Sequence, residues 1–211
     1  MITKLWNWLT DNKGADKEQE SVNQKEEYIS PDSINNEEIF SFDNIEDPEI
    51  INNGVTKSIL FMDDLENQFD LYKIDFNRMK YNYKFDINEH YNIINCRGEF
   101  AGFIAWKYIQ NNHVDVAILD ITLGKSVKLE NGKYLAYDGI DIGLEFEKYS
   151  KSTIYKFCTA HPLNRKNREI HSFIDKFEKN SNKDIYDYYF NKNDERYKTI
   201  YEMIQLDMNK G

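Results

Sequence analysis

From Ser58 onward the chain alternates short apolar runs with stretches of helical period, five of each, and this alternation limits what it can fold into. The runs are SILFMD (58–63), YNIINC (91–96), VDVAILD (114–120), TIYKFCT (153–159) and IYDYYF (185–190). Each is short and rich in β-branched or aromatic residues, the signature of a buried strand. Between and after them, apolar residues step by three and four, as on one helix face. Leu65, Phe69, Tyr72, Phe76 and Met79 form the first such face, and Phe100, Phe103, Ile104 and Tyr108 the second. Ile142, Phe146 and Tyr149 mark the third, Ile170, Phe173, Ile174 and Phe177 the fourth, and Tyr197, Ile200, Tyr201 and Ile204 the fifth. Such alternation predicts a parallel sheet covered by helices on both faces, with right-handed crossovers. Ligands of these sheets bind beyond the carboxyl ends of the strands, where the strand order reverses.

Charge divides the chain differently. Residues 1–56 carry 13 acidic and 4 basic side chains, whereas residues 57–211 carry 24 and 23. The front segment is therefore an acidic extension on a nearly neutral body. Three zones follow: a short amphipathic segment over 1–10, an acidic and mostly disordered extension over 11–56, and a folded domain over 57–211. In the first zone Ile2, Leu5, Trp6 and Leu9 fall at helical spacing, with Trp8 off the stripe. This reads as a docking segment for a protein partner, as an interfacial helix, or as a terminus packing locally. The second zone has too few bulky apolar groups to offset its ordering entropy. Ile39, Phe40 and Phe42 are its candidates for docking on the body.

Several classes of function are disfavoured. Nucleic-acid binding needs clustered Lys and Arg, which a net charge of −10 does not suggest. Cys96 and Cys158 are the only cysteines, giving no metal framework and reading as small buried hydrophobes. No window approaches the ~18 apolar residues of a membrane span, and no secretory signal is evident, so a cytoplasmic protein is expected. His90, His113 and His171 lack ligand spacing. GKS (124–126) is not a P-loop ending, because Leu119 stands where the glycine is required.

The chemistry gathers at strand ends. The first strand ends in Asp63-Asp64, the third in Asp120 and the fourth in Thr159, and Lys192 follows the fifth. Three carboxylates brought together repel one another. A hard divalent cation such as Mg²⁺ relieves that repulsion. A carboxylate can also act as a nucleophile toward phosphorus, with the ammonium neutralising the phosphoryl oxygens.

With these residues in view, the segment from Lys57 to Met208 resembles the receiver domains of bacterial response regulators. The matching pieces are LFMDD (60–64), NCRGEFA (95–101), VDVAILDITL (114–123), YDGIDIGLEF (137–146), FCTAH (157–161) and YYFNK (188–192). The resemblance implies a flavodoxin-like (βα)5 fold with strand order 2-1-3-4-5. It implies that Asp63, Asp64, Asp120 and the backbone carbonyl of Thr122 hold Mg²⁺, and that Asp120 accepts the phosphoryl group. Thr159 and Lys192 would act on that group, Thr159 and Tyr189 would switch conformation, and Thr122 and His161 would tune its lifetime. The implied partners are a histidine kinase or phosphotransfer protein and an unidentified downstream protein. Such a domain is a phosphoacceptor, with at most self-phosphorylation and self-dephosphorylation as enzymatic activity.

The chain departs from that pattern in places. The stretch 126–137 is additional, and Asn131-Gly132 between strand-like residues predicts a β-hairpin insertion after the third strand. A disordered surface insertion is the other reading. Asn193 stands where the family usually has a proline after the lysine, and Leu123-Gly124 where one usually follows the phosphoacceptor. No output module is recognised after the last helix, so the output is expected to be a protein contact or to lie in the extension. Two alternatives stay open: a degenerate receiver that docks proteins without phosphorylation, and a phosphatase of the haloacid-dehalogenase type. AILDITLG (117–124) faintly resembles the latter's first motif, but Thr122 replaces its second aspartate.

Overall fold

The computed structural model describes residues 45–121, 127–128, 134–135, 137–160, 163, 168–192 and 195–210. The segment 1–10, most of the acidic extension, Thr122, His161, the Asn131-Gly132 turn and Asn193 lie outside the described residues. A sheet of six strands runs through the domain in the order β1-β3-β2-β4-β7-β8. These strands are β1 (Glu49–Ile51), β2 (Lys57–Asp63), β3 (Tyr91–Arg97), β4 (Val116–Asp120), β7 (Ile154–Thr159) and β8 (Tyr189–Asn191). All neighbours pair in parallel except β1, which lies antiparallel on the outer edge of β3.

Five helices connect the strands: α1 (Gln68–Tyr83), α2 (Ala101–Ile109), α3 (Gly139–Tyr149), α4 (Arg168–Ser181) and α5 (Arg196–Met208). Alternation along each strand sends successive side chains to opposite layers. Ile59 and Phe61 of β2 pack with Phe69, Tyr72, Phe76 and Met79 of α1 and with Ile200, Met203 and Ile204 of α5. Leu60 and Met62 face the other layer, with Phe103 and Ile104 of α2, Ile140 and Phe146 of α3, and Ile174 and Phe177 of α4. Each such large apolar side chain contributes about 1.5–3 kcal/mol on burial. The result is a sheet sandwiched between α1/α5 and α2/α3/α4.

The sheet departs from the expected one in two respects. It has a sixth strand, and the expected order is extended at one edge: β1 comes from residues assigned by sequence to the acidic extension. Its pairing to β3, with Glu49 opposite Asn95 and Ile51 opposite Ile93, uses backbone groups that leave no apolar pattern. The run 185–190 is also only half strand. Ile185–Tyr188 forms a 3-10 turn capped by Asp184, whose carboxylate accepts from Tyr186 N–H at 2.9 Å, and β8 begins at Tyr189. Two further strands, β5 (Val127–Lys128) and β6 (Tyr134–Leu135), pair antiparallel between β4 and α3. Their register places a hairpin where the insertion falls.

Candidate functional site

Parallel pairing brings the carboxyl ends of β2, β4, β7 and β8 to one edge. Asp63 closes β2, Asp120 closes β4 and Thr159 closes β7, while Lys192 follows β8 directly. The Lys192 N–H donates to the carbonyl of Thr159 at 2.9 Å, which continues the ladder and fixes where the lysine leaves the sheet. Its ammonium then reaches back across the edge. Nζ lies 2.6 Å from Asp63 Oδ2 and 2.7 Å from Asp120 Oδ2. Asp63 and Asp120 are buried, Asp120 at 2% exposure, and Lys192 is partly buried with its side chain 9% exposed.

Asp64 is half-buried beside them, and Asp63, Asp64 and Asp120 offer carboxylate oxygens that all lie within 4.8 Å of one another. Asp63 is held by one hydrogen bond and one ion pair. Its Oδ1 accepts from Leu65 N–H at 3.2 Å. Its buried Oδ2 faces only the Lys192 ammonium, at 2.6 Å. One ammonium facing three carboxylates leaves the cluster two negative charges in excess when all are ionised. Three carboxylates within 4.8 Å of one another and an excess of two charges fit a hard divalent cation held by these side chains.

The electrostatics show the same strain. Burial pushes the Asp120 carboxyl up to about 7; the Lys192 ammonium pulls it down, and the neighbouring Asp63 and Asp64 raise it again. Asp63 is raised by burial too, against the pull of Lys192. Burial alone would lower Lys192, but the two carboxylates outweigh it and hold the ammonium above its ordinary range. Two acids raised by burial beside a charged lysine form a site whose carboxylates gain from additional positive charge.

Thr159 is fully buried at the end of the strand beside Asp120. Tyr189 is half-buried on β8, and its hydroxyl oxygen accepts from Asn191 Nδ2 at 3.3 Å. Thr122 and His161, also singled out in the sequence, lie outside the described residues.

The backbone behind Asp120 is packed with little tolerance. Gly139, the first residue of α3, lies against the Asp120 carbonyl, where a β-carbon would stand 2.1 Å from the oxygen. Asp138 caps that helix in a reciprocal capping box with Asp141. Lys176 of α4 bridges both, 3.1 Å from Asp138 Oδ2 and 2.7 Å from Asp141 Oδ1. Under the site, Arg196 of α5 pairs through Nε with Asp75 Oδ2 of α1 at 2.5 Å and lies over the Tyr72 ring at 4.8 Å.

Sequence reasoning did not find these two ion-pair groups. A signal existed for one: Asp75 falls three residues after Tyr72 and four before Met79, on the apolar face of α1, where a charge requires a buried partner. A cavity of about 430 Å³ lies between His113, Val114, Phe146 and Tyr149, away from the acidic cluster. Among the described residues no helix is long and apolar enough to cross a membrane.

No protein family matches the chain, and no curated protein matches it either. Solved structures do. A response regulator receiver domain protein (CheY-like) from Methanospirillum hungatei JF-1 is 18% identical, with 74% of this chain and 98% of that one covered at a TM-score of 0.46. The signal receiver domain of an HD domain-containing protein from Pseudomonas fluorescens Pf-5 is 14% identical, with 73% and 90% covered and a TM-score of 0.44. A yeast Spc42 coiled-coil segment fused to another structure is 15% identical, with 74% and 80% covered and a TM-score of 0.43.

Proposed function

We propose that the domain is a phosphorylation-dependent signalling switch in which Asp120 is the phosphoacceptor. The observation that carries this reading is the Lys192 ammonium within 2.7 Å of carboxylates from two strands, with a third carboxylate in reach. A structural ion pair needs one acid. Three acids and one lysine at the carboxyl edge of a parallel sheet suit the binding of a cation and a phosphoryl group.

The residues then have distinct tasks. The Asp120 carboxylate attacks phosphorus in line, the new O–P bond forms, and the P–N bond of a phosphohistidine donor breaks. The imidazole leaves with that electron pair and takes a proton from water. Lys192 exchanges its contact with Asp120 for a transferred phosphoryl oxygen, so its positive charge is already beside the acceptor before the reaction. Thr159, at the end of the neighbouring strand, donates its hydroxyl to another phosphoryl oxygen. Asp63, Asp64, Asp120 and the Thr122 carbonyl would hold Mg²⁺, which when bound supplies charge opposite the equatorial oxygens.

Drawing Thr159 toward the phosphoryl group and turning Tyr189 inward changes the surface of α4, β8 and α5. The domain thereby becomes a two-state element biased by a local charge. A histidine kinase or phosphotransfer protein is the donor, and a protein that reads this surface is the output.

The test is incubation of the full chain with Mg²⁺ and acetyl phosphate, followed by intact mass. One phosphoryl adduct is expected, absent in Asp120→Asn and absent when Mg²⁺ is chelated. A folded protein that acquires no adduct, or acquires it equally as Asp120→Asn, would instead be a docking module with the same fold.

A further inference from the structure

Helix α1 buries one face and exposes another that is also apolar. Leu71, Ile74 and Tyr81 are 44%, 48% and 78% exposed, and they step by three and seven, so they align as one stripe with Arg78 between them. Leu65, 52% exposed, stands just ahead of the helix, and its N–H holds Asp63 in the acidic site. Solvent-facing helix positions are ordinarily polar. Three large apolar side chains in line on one helix mark a contact surface rather than scattered exposure.

We propose that this stripe is the docking site of the chain's own residues 1–10. Three observations select that occupant. The first is pattern: Ile2, Leu5, Trp6 and Leu9 repeat at the same three-and-four spacing, so one apolar face meets another. The second is charge. Residues 1–10 carry Lys4 and no acid, while the tether that follows them, 11–44, carries ten acidic and three basic side chains. Around the stripe stand Lys73, Arg78, Lys80 and Lys84, of which Arg78 pairs with the buried Asp75, together with the acids Glu66, Asp70 and Asp86. The pairs Lys73–Asp70 and Lys80–Asp86 are exposed and worth little, so the acidic tether that enters behind the docked segment competes with them readily.

The third observation is tether length. Between Thr10 and Ile45 lie 34 residues, for which a flexible chain has an end-to-end distance of about 30 Å. A domain of this size has a radius of gyration of about 15 Å, so the segment reaches either layer. The tether also explains why so small a surface suffices. A stripe of three or four side chains is far below the roughly 1,000 Å² that a free partner needs. A tethered segment meets it at an effective concentration in the millimolar range. Docked there, residues 1–10 lie beside Leu65 and next to the entrance of the acidic site. The contact is independent of whether Asp120 accepts a phosphoryl group.

The experiment uses the full chain with a benzophenone amino acid at Trp6, irradiated at low protein concentration, with cross-links mapped by mass spectrometry. Cross-links within one chain to residues 65–84 are expected. They should disappear in Leu71→Asp/Ile74→Asp, whose substitutions are at exposed positions and leave the circular dichroism spectrum unchanged. Acrylamide quenching of Trp6 and Trp8 in a Trp106→Phe background should rise with the same pair of substitutions. Cross-links to another part of the domain, cross-links only between chains, or no cross-links would each overturn the proposal. So would cross-links that persist in the double variant.

Discussion

Gly139 touches the carbonyl oxygen of Asp120: a β-carbon at this first residue of α3 would stand 2.1 Å from it. The obstacle is backbone, so no side-chain rotation relieves it. Gly139→Ala should therefore lose at least the ~1–3 kcal/mol of ordinary overpacking, measured by urea denaturation. Because the displaced group is the Asp120 peptide, acetyl phosphate labelling should slow as well. A variant with unchanged stability would show that α3 can move away from β4 without cost.

Lys192 neutralises two buried acids at once, so its removal leaves both uncompensated. Lys192→Met is expected to cost about 3–5 kcal/mol at pH 8, in the range for breaking one side of a buried pair. The cost should shrink toward pH 5, where protons replace the ammonium. Adding Asp120→Asn to Lys192→Met should restore part of the stability, since it removes one stranded charge. Urea denaturation at the two pH values checks both statements, and an equal loss at both would argue against stranded carboxylates.

The raised carboxyl of Asp120 predicts how cation binding depends on pH. Burial, the largest cause, places it at about 7 in the folded chain, against about 3.9 for an unfolded aspartate. Without metal, the folded form therefore keeps a proton that the unfolded form has lost across that window. Its contribution to stability is full at the acid end and is lost as pH rises through 7. A cation must displace the same proton, so its affinity has the opposite trend. Mg²⁺ affinity should fall by up to about tenfold per unit as pH drops below 7 and level off above it. Calorimetric titrations at pH 6, 7 and 8 report this, and a flat affinity would place the proton elsewhere.

The acids and the lysine were legible because each one closes or follows an apolar run. In a parallel sheet, run ends share an edge whatever the intervening lengths, so Asp63, Asp120, Thr159 and Lys192 could be placed together without coordinates. Strand β1 was not legible. Glu49–Ile51 is a three-residue strand in an acidic stretch, and it is held by backbone pairing to β3. The first half of 185–190 was misread for a related reason. Its aromatic residues suit a strand, but Asp184 and Asp187 close a turn, with Asp187 N–H donating to the Asp184 carbonyl at 3.2 Å. Lys176 gave no signal, because its two acids belong to α3 and only packing brings α4 against them.

The buried pair between Asp75 and Arg196 sets the last expectation. Asp75 is 1% exposed and Arg196 10%, and the guanidinium also lies over the Tyr72 ring, whose other contacts include Phe61 at 4.6 Å. The pair joins α1 to α5 on the layer beneath the acidic site. Asp75→Leu leaves the buried guanidinium without its carboxylate and should cost about 3–5 kcal/mol, whereas Arg196→Leu leaves Asp75 the more distant Arg78 at 3.5 Å and should cost less. Arg196→Lys should not rescue the fold, because a compact ammonium cannot bond the carboxylate and cover the ring together. The double variant Asp75→Leu/Arg196→Leu removes both charges and should be more stable than either single one. Urea denaturation of the four proteins decides it. Single substitutions within about 1 kcal/mol of the parent would mean that the pair is solvated like a surface salt bridge, and that apolar packing alone holds α1 to α5.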